Sequence, residues 1–134
     1  MAGYLLDTNV ISELIKKRPA PQVAPWLTGH ADCYLSVLTL GELERGVCLL
    51  RQRDSVRAGR LDDWLSRLAS EYADRILNVD ARVVSAWANL PFTRTLPVID
   101  SLIAATAAAH DLTVATRNTA DFEDTGVLTI DPFL

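Results

Sequence analysis

Cysteine and histidine are scarce in this chain of 134 residues, with two of each. Cys33 and Cys48 are not at metal-type spacing, and His30 and His110 stand alone, which excludes zinc-finger and His-rich metal sites. Both cysteines sit in apolar stretches and are expected to be buried free thiols. No apolar run approaches the ~20 residues that span a bilayer, so no membrane association is expected. The N-terminus lacks a basic segment followed by an apolar one, and Asp7 interrupts the first apolar run. No signal peptide is therefore read, and a cytoplasmic protein is expected. Walker A and Gly-x-Gly-x-x-Gly loops are missing, which excludes those phosphate-cradling folds. The Gly-x-Ser-x-Gly elbow of the serine hydrolases is missing too. No lysine follows residue 17, and there is no internal repeat or low-complexity segment.

What is there is a globular composition, with 49% hydrophobic and 22% charged residues. The length suits one domain over 1–134 with a real core. Net charge is −4, from 17 acids against 13 lysines and arginines. That balance argues against a nucleic-acid partner until the acids are given work. With four of the 17 acids set aside as metal ligands, 13 face 13. A divalent cation would then invert the local field.

Strand patterns alternate with helical ones. Short apolar runs at Leu5-Leu6, 33–37, 75–79, 112–116 and 127–130 read as strands. Helices are expected over 10–17, with Thr8 or Asn9 as cap, over 22–28, and over 39–53. Further helices are expected after a basic turn in 51–60, from Asp80 to about 90, and over 97–109. Leu40, Leu43, Val47 and Leu50 make the buried stripe of the 39–53 helix, while Val83, Val84, Trp87 and Leu90 point inward from the next-to-last one. Trp26, Trp64 and Trp87 read as core or interface residues. Gly41 and Gly46 lie inside the 39–53 helix, which suggests close backbone approach there. The pattern is that of a three-layer α/β/α sandwich on a mainly parallel five-stranded sheet.

Four acids fall where such a sheet binds ligands, beyond the carboxyl ends of its strands. Asp7 ends the first strand. Glu42 follows the second, about 100° round its helix from the buried stripe. Asp121 follows the fourth strand, in the polar loop Thr116-Arg117-Asn118-Thr119-Ala120. Asp100 is the lone charge in an otherwise apolar helical stretch, where burial would be costly without a cation or hydrogen-bond donors. Taken singly, each has a plain alternative as a cap, a first-turn acid or a loop acid. Together they make a set of hard oxygen ligands suited to Mg²⁺ or Mn²⁺, and a metal so held suits phosphodiester hydrolysis. Thr8, Asn9, Thr116 and Asn118 are candidate supports for ligand water or phosphate. Arg45, Arg51, Arg53 and Arg57 are either phosphate contacts or a solvated helix face.

Four blocks carry a family likeness. They are Leu6-Asp7-Thr8-Asn9-Val10-Ile11-Ser12, Ser36-Val37-Leu38-Thr39-Leu40-Gly41-Glu42-Leu43, Pro97-Val98-Ile99-Asp100-Ser101-Leu102-Ile103-Ala104 and Thr116-Arg117-Asn118-Thr119-Ala120-Asp121-Phe122. In this order they resemble a PIN domain of the VapC-type toxin ribonucleases. The resemblance implies a Mg²⁺- or Mn²⁺-dependent endoribonuclease with Asp7, Glu42, Asp100 and Asp121 as its acidic quartet. Asp7, Asp100 and Asp121 would be metal ligands, and Glu42 would hold a second metal or ligand water. It also implies an RNA substrate, a VapB-like antitoxin that blocks the site, and a homodimer.

Two rival functions compete. An aspartyl-phosphate phosphatase would use Asp7 as nucleophile, but it wants an acid two residues on and a phosphate-neutralising lysine. A non-catalytic RNA- or protein-binding module would have lost one or more of the acids. The chain has Asn9 at the first of those positions and keeps all four acids, which disfavours both.

Overall fold

The computed structural model describes residues 3–91 and 96–134. Five strands form one sheet: β1 (Tyr4–Leu6), β2 (Cys33–Ser36), β3 (Ile76–Leu77), β4 (Thr113–Ala115) and β5 (Thr129–Ile130). All adjacent pairs run parallel, in the order β3-β2-β1-β4-β5. The chain builds outward from β1 through β2 to β3, then crosses back to lay β4 and β5 on the other side. The order therefore reverses between β1 and β4, and their carboxyl ends flank the crevice that such a reversal opens.

Alternation along the strands makes two cores. Leu6, Cys33, Leu35 and Ala115 face one layer, and Leu5 and Val114 face the other. The first layer is roofed by α1 (Thr8–Ser12), α2 (Val23–Thr28), α3 (Val37–Arg51) and α4 (Ser55–Glu71). The second is roofed by α6 (Val98–His110), against which α5 (Ala81–Ala88) packs. Leu5, Leu6, Leu35, Ile103 and Val114 are fully buried, each contributing about 1.5–3 kcal/mol of apolar transfer. The expected three-layer sandwich is the observed one.

Local differences have identifiable causes. The first helix starts at Thr8, not residue 10, because the Asp7 carboxylate caps it by accepting from the Thr8 N–H at 2.8 Å. It ends at Ser12, and a 3₁₀ turn over Glu13–Ile15 follows. Ser36 caps α3 by accepting from the Leu38 N–H at 3.0 Å, so β2 stops one residue early and Val37 is helical. Val84 and Trp87 do not point inward; they are 46% and 38% exposed, while Val83 is buried. The Trp87 indole N–H instead donates to Ser101 Oγ on α6 at 2.9 Å. Cys33 is buried as expected, whereas Cys48 is exposed. Part of the expected 91–97 connection lies outside the described residues.

The glycines also differ from expectation. A Cβ at Gly41 or Gly46 would meet nothing within 4 Å, so neither marks a close backbone approach. The tight position is Gly3, where a Cβ would stand 2.4 Å from the Asp32 carbonyl oxygen. Gly3 also accepts from the Thr113 N–H at 3.0 Å, so its backbone is squeezed between β2 and β4. Gly3→Ala should therefore cost about 1–3 kcal/mol. Gly41→Ala should add about 0.5–1 kcal/mol. Urea denaturation of the two variants checks this pair, and equal midpoints would contradict it.

Candidate active site

Asp7 is held from several sides at once. Its N–H donates to the Ala115 carbonyl at 2.9 Å, which ties the end of β1 to the end of β4. The side chain is 7% exposed. Its Oδ1 accepts from the Thr8 N–H, and Oδ2 accepts from Thr116 Oγ1 at 2.9 Å and from Asn9 Nδ2 at 3.3 Å. Burial pushes the Asp7 carboxyl above the ordinary aspartate value, against the pull of the Thr116 and Thr8 bonds. The charges of Glu42 and Asp121 push it further up.

The supporting residues form a lattice around that carboxylate. Thr116 is fully buried, and its Oγ1 also accepts from the Asn118 N–H at 3.0 Å. Asn9 reaches across from α1: its Nδ2 donates to Thr116 Oγ1 at 3.3 Å and its Oδ1 accepts from the Arg117 N–H at 3.1 Å. The loop that follows β4 is thereby fastened to the loop that follows β1. Asp121 stands just beyond, in the 3₁₀ segment Thr119–Thr125, with its N–H on the Asn118 carbonyl at 3.0 Å.

Glu42 and Asp100 close the ring from two helices. Glu42 is exposed, and its Oε1 accepts from Thr8 Oγ1 at 2.5 Å. Asp100 is the third residue of α6 and is half-buried. Burial raises its carboxyl above the ordinary value, and the charges of Asp7, Asp121 and Glu42 add to that rise. Asp7 and Asp100 thus each feel both Glu42 and Asp121, across both layers of the sandwich. No lysine or arginine among the described residues makes an ion pair with Asp7, Glu42 or Asp100. Every expected support has a place in the network, with Asn118 entering through its backbone rather than its side chain.

One acid beside this centre escaped the sequence reading. Glu13 is 4% exposed, with Oε1 at 2.9 Å from Lys16 Nζ and Oε2 accepting from the Ala20 N–H at 2.8 Å. The Lys16 contact and the Ala20 N–H hold its carboxyl below the ordinary value. Its work is structural, since it pins the turn after α1; the Glu-x-x-Lys spacing is the only signal of it.

The donor set fits a hard divalent cation. As placed, no three Asp, Glu, His or Cys side chains among the described residues stand close enough together to chelate an ion. Mg²⁺ does not require such a cage, because it is usually held by one or two carboxylates and keeps several waters. Oxygen-only donors whose charges raise one another's carboxyls are the kind of set that a hard divalent cation would suit.

The PIN domain family model matches residues 4–128. The chain belongs to the PIN-domain family. This PIN domain is 38% identical over 138 residues to toxin FitB of Neisseria gonorrhoeae, with 96% of this chain and 97% of FitB covered. It is 34% identical over 138 residues to the VapC ribonuclease Y4jK of Sinorhizobium fredii, covering 96% of each chain. The crystal structure of FitAcB from Neisseria gonorrhoeae superposes with a TM-score of 0.90 at 36% identity, covering 97% of this chain and 98% of that one. The family likeness read from the four sequence blocks is borne out.

The electrostatics of this PIN domain carry a consequence for stability. A carboxyl raised in the folded state favours folding only below its unfolded value, about 3.9 for aspartate, and that contribution is lost as pH rises through the folded value. An Asp100 carboxylate ionised at neutral pH therefore costs folding stability. In EDTA at pH 7, Asp100→Asn should melt at a higher temperature than the parent, with the gap closing below about pH 4. Calorimetry across that range checks it; a lower melting temperature for the variant at pH 7 would contradict the coupling.

Proposed function

We propose that this PIN domain is a Mg²⁺- or Mn²⁺-dependent endoribonuclease, the toxin of a toxin–antitoxin pair. The observation that carries the proposal is the coupling of Asp7, Glu42, Asp100 and Asp121 at the β1/β4 crevice. Relatives named toxin and VapC ribonuclease over nearly the whole chain support it. We further propose a VapB-like antitoxin as partner, a homodimer as the working form, and the cytoplasm as its place. Among the described residues no helix is long and apolar enough to cross a membrane.

In this account Asp7 and Asp100 would hold the metal, Asp121 would bind it directly or through water, and Glu42 would hold a second ion or an ordered water. When bound, the metal lowers the pKa of a water and stabilises charge on the phosphoryl oxygens. The rest is done by the chain. Thr116 Oγ1 and the Thr8 N–H fix the Asp7 carboxylate and pull its carboxyl down, against the burial that raises it. Thr8 Oγ1 orients Glu42 toward the same space. Asn9 clamps the β4 loop, so that Asp121 cannot swing away from Asp7.

Purified protein freed of any antitoxin should cut single-stranded RNA with Mg²⁺ or Mn²⁺ and stop in EDTA. Asp100→Asn should lower the rate by more than ~100-fold, beyond the 10–100-fold typical of groups that only support a ligand. Thr116→Val, which keeps shape and removes the donor to Asp7, should fall within that 10–100-fold range. Parent-like cleavage by Asp100→Asn in a nuclease-free preparation would refute the assignment. Thr116→Val serves as the graded control: an unchanged rate would remove it from the support of Asp7.

A further inference from the structure

A groove of about 340 Å³ opens beside the acid centre, between α1, α3 and α4. Its lining includes Thr8 and Glu42 of the centre, the apolar Leu50 and Trp64, and the guanidinium-bearing Arg53 and Arg57. Glu42 lies in the second turn of α3, while Arg53 and Arg57 flank the turn from α3 to α4. At 1.5 Å per residue the groove therefore follows α3 for roughly 15 Å. Acid stands at one end, and at the other stands positive charge that has no ion pair among the described residues.

The four arginines of this region are not equivalent. Arg51 lies 3.6 Å from Asp62. Arg45 is exposed and is not part of the groove lining. Arg53 and Arg57 line the groove, are exposed, and make no ion pair among the described residues. Arg57 also sits in the first turn of α4, where its backbone N–H donates to the N-cap carboxylate of Asp54 at 3.1 Å while its guanidinium makes no ion pair among the described residues.

We propose that this groove is the track along which single-stranded RNA reaches the acids, with Arg53 and Arg57 as its phosphate-positioning residues. The inference rests on the ribonuclease assignment and names how that site takes its substrate. The occupant is argued from charge. An anionic strand meets two free guanidiniums at the far end, and its unstacked bases can lie against the apolar wall between. The strand then enters the acid centre, where Asp7, Glu42, Asp100 and Asp121 lie. Neither arginine touches the reacting atoms, so both act on affinity and register.

Binding separates this inference from the assignment beneath it. Fluorescence anisotropy with a fluorescein-labelled, unstructured RNA in EDTA reads affinity without cleavage, over a series of salt concentrations. The double variant Arg53→Ala/Arg57→Ala should weaken binding by about tenfold and flatten the slope of log K against log salt by about 1.4, near 0.7 per lost phosphate contact. Arg53→Lys/Arg57→Lys should recover most of that slope, since lysine supplies the charge without the fork. Arg67→Ala/Arg82→Ala, two exposed arginines away from the groove, should match the parent. With Mn²⁺ the alanine pair should raise KM and leave kcat at saturation near the parent value. An unchanged salt slope would assign the arginines to a protein contact and overturn the proposal, as would an equal loss in the Arg67/Arg82 pair. A parent that binds RNA with the expected slope but never cuts it would count against the ribonuclease assignment alone.

Discussion

The burial of one carboxylate at the end of the central strand sets the terms for the rest of the site. Asp7 is 7% exposed. Three donors reach it, from the Thr8 backbone, Thr116 and Asn9. Three other acids crowd the same crevice, and burial together with their charges raises the Asp7 and Asp100 carboxyls. Among the described residues no lysine or arginine pairs with Asp7, Glu42 or Asp100, and a core assembled for stability alone would not gather acids in this way.

The fold explains why the acids meet. Reversal of strand order between β1 and β4 opens a crevice at their carboxyl ends. Asp7 and Thr116 come from the two strands that flank it. α3 brings Glu42 from one layer of the sandwich and α6 brings Asp100 from the other. Asn9 then joins the two loops across the gap by holding the Arg117 N–H. Asp7 serves two purposes at once, since the oxygen that caps α1 belongs to the carboxylate that faces the crevice.

Much of this was legible in the sequence because it depends on local pattern. Asp100 stood out as one charge in an apolar helix, and the structure half-buries it among the other acids. The strand–helix alternation implied a parallel sheet, and the sheet is parallel throughout. What failed was of two kinds. Linear context misled for Cys48, whose neighbours Val47 and Leu49 are apolar: at 100° per residue it turns away from the Leu43–Val47 stripe into solvent. Propensity misled for Gly41, where the helix simply tolerates a glycine on an open face. The Thr8–Glu42 and Asn9–Arg117 bonds join residues 34 and 108 positions apart, and no local pattern encodes such pairs. Asp7 rather than Thr8 caps α1: the Asp7 carboxylate accepts from the Thr8 N–H, while the Thr8 hydroxyl is engaged by Glu42.

Anomalous diffraction from crystals grown with Mn²⁺ tests the central claim most directly, because it locates the ion without reference to activity. The account predicts a peak in the β1/β4 crevice, within coordination distance of the Asp7 and Asp100 carboxylates. It should disappear in Asp100→Asn crystals grown alike. A crevice without a peak at saturating Mn²⁺, or a peak held elsewhere on the chain, would contradict it.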